Sequence, residues 1–204
     1  QKALSGISIY GWKQLVKSID LDYSSFTNGS LKLIQIAQRG SDDRREVLYN
    51  FLYNTQTPLP QRDSPSTDHW GYYNGATLGA AGNFPVHTSL GYMVDGISRD
   101  PQMPYTTADM LTEIVYKNGG RKVFEYEPNL IQEDNLLRPW AGVRIKQISE
   151  YDGLNPSPSV TRYEYTDEHG QSSGQAYSGS IVYSHSPYLN APPTNLVPIT
   201  YTVY

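Results

Sequence analysis

The sequence predicts an all-β protein: repeated antiparallel hairpins forming one long twisted sheet or two packed sheets, with one long irregular insert. Three observations carry this. Apolar and polar residues alternate with period two in segment after segment, as in strands with one buried face. Residues that tolerate positive φ fall between those segments, where tight hairpins need them. Finally, 18 tyrosines stand against 4 phenylalanines. Tyrosine suits a half-buried pleated surface with its hydroxyl at the wet edge, so the composition favours many strands with one face near water over a thick oily core.

Taken along the chain, Ile19, Leu21 and Tyr23 alternate with Asp20 and Asp22 in a strand around 16–26. Asn28-Gly29 turns this strand into another around 31–37, which carries Leu31, Leu33, Ile34 and Ile36. Tyr49, Phe51 and Tyr53 alternate with Asn50 and Leu52. Residues 55–108 then break the pattern with Pro, Gly, Ser, Asn and Thr. Some fifty residues of loop are long for a compact domain, so 55–108 is expected to be an ordered insert lying across the sheet or a partly disordered excursion. Ala108–Glu113 is the best short helical stretch. Asn118-Gly119-Gly120 between Ile114-Val115-Tyr116 and Val123–Tyr126 is a strong hairpin signal. Asp152-Gly153 opens a connection over 152–159 to a strand at 160–166, and Gly170 and Gly174 punctuate the chain beyond that strand. Asn195–Tyr204 reads as strand, and both chain ends read as cuts within a longer polypeptide.

Three strand pairs repeat one another. Leu31–Ile36 with Val47–Tyr53, Leu111–Tyr116 with Val123–Tyr126, and Val143–Ile148 with Val160–Tyr165 each join an aliphatic strand to an aromatic one ending near Tyr-x-Tyr or Phe-x-Tyr. A hairpin that cannot bury a face alone is stabilised by stacking beside its neighbours into a continuous sheet. Residues 1–204 therefore read as a single β module with 55–108 inside it.

Composition narrows the function. The net charge of −4 and the absence of any basic run disfavour nucleic acid as a partner. With no cysteine, disulfides and thiolate metal sites are ruled out within this stretch. No window of about 18 apolar residues provides a membrane span, and Gln1 is not followed by a signal-like apolar region. Phosphate loops and dinucleotide fingerprints are missing, so no cofactor is expected.

One segment could form a site. Asp68-His69-Trp70-Gly71-Tyr72-Tyr73-Asn74-Gly75 packs three aromatics, a carboxylate, an imidazole and two glycines into eight residues. As a binding loop, Trp70, Tyr72 and Tyr73 would stack on sugar rings while Asp68 and Asn74 bind hydroxyls. As a structural loop, the aromatics would anchor it, with Gly71 and Gly75 where a side chain is forbidden. The structural reading is the better supported of the two. The histidines His69, His87, His169 and His185 lie in unrelated segments and make no ligand set, so no metal is expected. Asp42-Asp43-Arg44-Arg45 lacks the alternating oxygen ligands of a calcium loop and reads as hairpin-tip charge. Glu125 and Glu127 would share one strand face about 7 Å apart, a glycosidase-like spacing, but alternating glutamate is the ordinary solvent side of a hairpin. No catalytic residues are assigned and an enzyme is not expected: there is no Gly-x-Ser-x-Gly and no cysteine nucleophile.

The hairpin Leu111–Glu127 resembles the RHS/YD-repeat family, in which an aliphatic strand, Tyr-Pro-Asn-Gly-Gly and an aromatic Tyr-x-Tyr-Asp strand follow one another. Lys117 stands where that family has proline and Glu127 where aspartate is common. Tyr163–Gly170 is similar to a degenerate Tyr-x-Tyr-Asp-x-x-Gly. A narrower resemblance, to large RHS-like envelope proteins of Bacteroidetes, rests on Leu59-Pro60, Asp68–Gly75, Arg99-Asp100-Pro101 and Ala141–Ile148, with Val143 in place of the second glycine. The resemblance implies a non-catalytic structural module of a larger secreted or surface protein, located in the cell envelope or outside the cell. Its partners would be neighbouring repeats or domains of the same protein. The alternative is a carbohydrate- or peptide-binding module that takes a surface glycan through the aromatic loop.

Overall fold

The computed structural model describes residues 2–77, 86–87, 93–94, 97–133, 136–174, 181–185 and 199–203. The side chains of His87 and His185, and much of 78–96, lie outside the described residues, as do Gln1, 195–198 and Tyr204.

The protein is all-β. Its strands are β1 (Gly6–Gly11), β2 (Gln14–Ser25), β3 (Leu31–Gly40), β4 (Arg45–Tyr53), β5 (Val86–His87), β6 (Met93–Val94), β7 (Leu111–Tyr116), β8 (Arg121–Glu133), β9 (Leu136–Tyr151), β10 (Ser159–Arg162), β11 (Ile181–His185) and β12 (Ile199–Val203). Eight of them form one open antiparallel sheet in the order β1-β2-β3-β4-β7-β8-β9-β10, so the strands of this sheet lie side by side in chain order. β5–β6 and β11–β12 are separate two-stranded pairs. Of the two arrangements the sequence allowed, the single long sheet is the one formed. The excursion after β4 returns into the adjacent strand β7, so the insert interrupts the chain without interrupting the sheet.

The turn chemistry explains the hairpins. Gly29 and Gly119 sit at φ +75° and +82° in the turns between β2 and β3 and between β7 and β8. The hairpin β1–β2 turns on Trp12 and Lys13, both at positive φ (48° and 70°), as a type I′ turn requires. Neither residue type favours that conformation, which is why the sequence does not announce this hairpin.

The repeat is built around tyrosine. Tyr53 Oη donates to Leu33 O (2.7 Å), Tyr126 Oη to Leu111 O (2.7 Å) and Tyr165 Oη to Ile145 O (2.7 Å). A fourth tie, Tyr23 Oη to Leu4 O (3.1 Å), closes the hairpin β1–β2. Each tyrosine lies on, or just beyond, the second strand of a hairpin and bonds back to a carbonyl on, or just before, the first. In three cases the facing strand bulges at the same level: Ile34 of β3 opposite Asp22/Tyr23, Thr112 of β7 opposite Leu52/Tyr53 and Lys146 of β9 opposite Glu125/Tyr126. A bulge bends and twists the strand that carries it, here the first strand of the next hairpin. Burial raises the pKa of the Tyr53 and Tyr126 hydroxyls, which keeps them protonated as donors. Tyr53→Phe, Tyr126→Phe and Tyr165→Phe are each expected to cost about 1 kcal/mol, or about 2–4 °C in melting temperature. Tyr23→Phe, at an exposed tie, should cost less. Thermal melts of the four single variants check this ordering.

Two local expectations are corrected. Ala108–Glu113 is not helical: one 3-10 turn covers Tyr105–Thr107, and β7 has begun by Leu111. β-branched and aromatic residues at 114–116 outweigh the weak helical signal before them. The strand expected over 160–166 ends as β10 at Arg162, with one further bond from Tyr163 N to Lys146 O. Glu125 and Glu127 alternate along β8 as expected, the local bulge being at Lys146 of the facing strand β9. Glu127 pairs with Arg144 (2.7 Å) and Glu125 accepts from Gln147, both as cross-strand partners.

The sheet is thin. Among the described residues the buried hydrophobic side chains are Ala37, Ile97, Ala108 and Ile131. Two of these, Ile97 and Ala108, come from the insert, which therefore supplies part of the core.

Candidate functional site

The aromatic loop is a tight turn held by its own aspartate. Asp68 Oδ1 accepts the amides of Trp70 and Tyr72, both at 2.9 Å. The Asp68 amide donates to Tyr72 O, Gly71 N donates to Asp68 O, and Thr67 bridges Tyr73. Gly71 takes φ +90° at the bend. Asp68 is buried, and its Oδ2 has no hydrogen-bond partner.

Asn74 is fully buried and joins two parts of the insert. Its Nδ2 donates to Ser98 O (2.8 Å) and Asp100 O (3.2 Å), while its Oδ1 accepts from Ala76 N. Arg99 lies between those carbonyls and reaches the other way, donating from Nη1 to Thr67 O (2.8 Å), Thr67 Oγ1 (3.0 Å) and Pro65 O (3.3 Å). Residues 65–76 and 97–100 are thereby knitted into one unit.

The aromatics fix that unit to the sheet. Trp70 packs on Trp140 of β9 with ring centroids 4.5 Å apart, and His69 meets Trp70 edge-on at 5.7 Å. Tyr73 meets Tyr105 edge-on at 5.4 Å. Tyr72, 46% exposed, lays its hydroxyl end against Gly142. Beside Gly142 a cavity of about 260 Å³ is bounded by Pro101, Met103, Thr106, Pro128 and Pro139.

The five residues expected to bind, Asp68, Trp70, Tyr72, Tyr73 and Asn74, are thus brought together in one turn. Asp68 Oδ1 and the Asn74 carboxamide satisfy amides and carbonyls of the insert itself. Tyr72 is the member with a half-open ring. The sequence did not show that Arg99, Tyr105, Trp140 and Gly142 complete the unit, because those contacts span 32 to 70 residues. A second signal was legible. Thr67–Gly75 and Thr166–Gly174 share Thr-Asp-x-x-Gly-x-x-x-Gly. The second copy folds alike: Asp167 Oδ1 accepts from His169 N and Gln171 N (both 2.9 Å), Asp167 N donates to Gln171 O, and Thr166 bridges Ser172. It docks on β8 through Ser172 Oγ to Leu130 O (2.8 Å).

Among the described residues no group of three or more His, Asp or Glu side chains is placed to hold a metal. The charges at 42–45 join a cross-strand network in which Arg39 pairs with Asp20 (2.8 Å) and Asp43 (3.4 Å), and Arg45 with Asp22. Among the described residues no helix is long and apolar enough to cross a membrane.

Burial lowers the pKa of His69, opposed by Asp100 and Asp68 and reinforced by Arg99. A histidine whose folded pKa lies below its unfolded value contributes full stability above the unfolded pKa, and loses it as pH falls towards the folded one. The melting temperature should therefore drop between about pH 7 and pH 5.5. His69→Gln should flatten that interval and leave the carboxylate-driven loss below about pH 4.5 in place.

No family model matches the chain, and neither a curated protein nor a solved structure matches it. The class defined by fold and site is an open all-β meander of tyrosine-tied hairpins, clasped by an aromatic insert.

Proposed function

We propose that the chain is a non-catalytic structural module of a secreted or surface RHS/YD-repeat-like protein, with neighbouring repeats or domains of that protein as its partners. One observation carries this reading: four successive hairpins are closed by the same tyrosine-to-carbonyl tie. Such a repeat builds length, and each unit buries little by itself. The inward use of Asp68 and Asn74 supports it further, since those side chains hold the insert in place. Two measurements test the reading. An antibody raised against the chain should label intact source cells or their medium, and labelling seen only after lysis would overturn the envelope assignment. Purified chain should show no saturable binding on a glycan array.

The half-exposed Tyr72 beside the cavity at Gly142 favours a second reading, a surface carbohydrate- or peptide-binding module. Saturable glycan binding that is abolished by both Trp70→Ala and Tyr72→Ala would establish it in place of the first. Binding unaffected by either substitution would remove the aromatic loop as the site.

A further inference from the structure

The sheet ends in two unlike edges that match each other. Three seams between hairpins lie inside it, β2–β3, β4–β7 and β8–β9, and each sets the second strand of one hairpin against the first strand of the next. Among the described residues no strand pairs with the outer side of β10 or of β1. Each edge is therefore half of a seam that the molecule builds three times.

The edges are bare. All four residues of β10 are exposed, as are Gly6 to Tyr10 of β1. Ile7, Ile9 and Tyr10 on one edge and Val160 on the other are large apolar side chains left in water. After Tyr163 the chain turns away from the β10 edge and crosses back over the sheet, with Tyr165 bonded to β9 and Ser172 to β8. The edge that β10 offers is comparable in length to an internal seam, since β4 and β7 pair through five residues.

Direction and charge agree. With eight antiparallel strands, β1 and β10 run in opposite directions, so a strand added outside β10 in the same alternation runs as β1 does. Residues 1–19 carry Lys2, Lys13 and Lys17 and no acidic residue. Residues 149–163, up to where the chain leaves this edge, carry Glu150 and Asp152 against Arg162. One end of the sheet is basic and the other weakly acidic, which favours unlike ends meeting and disfavours like ends.

We propose that copies of this chain join head to tail, the β10 edge of one copy pairing with the β1 edge of the next. The inference deepens the structural-module reading and rests on it. Such a contact is heterologous, so it propagates into a ring or a filament and does not stop at a symmetric dimer. The seam is small and rimmed by charge, so association is weak and salt-sensitive.

Sedimentation velocity on the whole chain tests this. Weight-average mass should rise across about 5–500 µM protein, and the association constant should fall about tenfold from about 50 to 500 mM NaCl. Ile7→Glu with Ile9→Glu blocks the β1 edge, and Ser159→Lys with Val160→Lys blocks the β10 edge. All four sites are exposed, and thermal melts verify that both variants fold. Each variant alone should be monomeric, and mixing the two should restore association, because each retains the edge the other lacks. A parent chain that stays monomeric throughout, an association indifferent to salt, or a blocked variant that still associates alone would overturn head-to-tail joining. Monomeric behaviour would leave cell labelling and glycan binding to decide the structural-module reading separately.

Discussion

Asn74→Asp is expected to destabilise the chain by about 4 kcal/mol at neutral pH, which lowers the melting temperature by about 10 °C. Asn74 Nδ2 donates to two carbonyls, Ser98 O and Asp100 O, at a position with no solvent exposure. An ionised carboxylate there turns two attractive contacts into repulsive ones and buries a charge with no cation as partner. Only the bond from Ala76 N survives, since it already has oxygen as its acceptor. Asn74→Ala loses the same contacts without adding a charge and should cost about 2–3 kcal/mol. The pH dependence separates the two. Burial raises the pKa of the introduced carboxyl, so its proton returns on mild acidification and one donor is regained. The gap between Asn74→Asp and the parent should narrow from pH 7 towards pH 5, while that for Asn74→Ala stays constant. Melting curves at three pH values decide this, and a constant gap for Asn74→Asp would show that the side chain is not buried against those carbonyls.

The same residue shows how far the sequence could be read. That Asn74 belongs to a special loop was legible, because glycine, aromatic and carboxamide residues crowd together there. Its bonding partners were not, because Ser98 and Asp100 lie more than twenty residues on and no local pattern links them. Strands were legible where side chains alternate, as at Tyr49, Phe51 and Tyr53, and turns where Asn-Gly occurs. The first hairpin was missed since Trp12-Lys13 has no turn chemistry of its own, and its positive φ is imposed by pairing with β2. Bulges were invisible too. One extra residue on the facing strand, Ile34, Thr112 or Lys146, alters no composition and leaves no local mark. The recurring Tyr-x-Tyr or Phe-x-Tyr endings were visible in the sequence, but the hydroxyl tie that explains them required the carbonyls opposite.

The tie and the clasp also divide the labour of holding a thin sheet. Strand pairing alone leaves most side chains half-buried, with few fully buried hydrophobics among the described residues. Tyrosine hydroxyls lock the hairpins individually. The insert then adds Ile97, Ala108 and the Trp70–Trp140 contact across the far end of β8 and β9. Loss of the clasp should therefore loosen one end of the sheet first. Hydrogen exchange would report this as early exposure of β8 and β9 amides near 128–143, with β2–β3 still protected.

Gly75→Ala is expected to be the costliest single methyl group in the insert, and Gly71→Ala shows why. Both glycines take positive φ, +90° at Gly71 and +68° at Gly75, so each substitution carries backbone strain of about 1 kcal/mol. At Gly71 nothing lies within 4 Å of the added carbon, so strain is the whole cost. At Gly75 the added carbon would sit 2.5 Å from Cδ1 of Tyr105 and overlap the ring face. Tyr105 cannot simply swing aside, because it opens the 3-10 turn and packs edge-on against Tyr73. Forcing it out adds about 1–3 kcal/mol to the strain, for a total of about 2–4 kcal/mol. A double-mutant cycle resolves the two terms. Tyr105→Ala is destabilising alone through its lost packing, but Gly75→Ala in that background should cost only the backbone term, close to the value at Gly71. Equal costs for Gly75→Ala with and without Tyr105 would place the ring elsewhere and remove the clasp contact between Gly75 and the 3-10 turn.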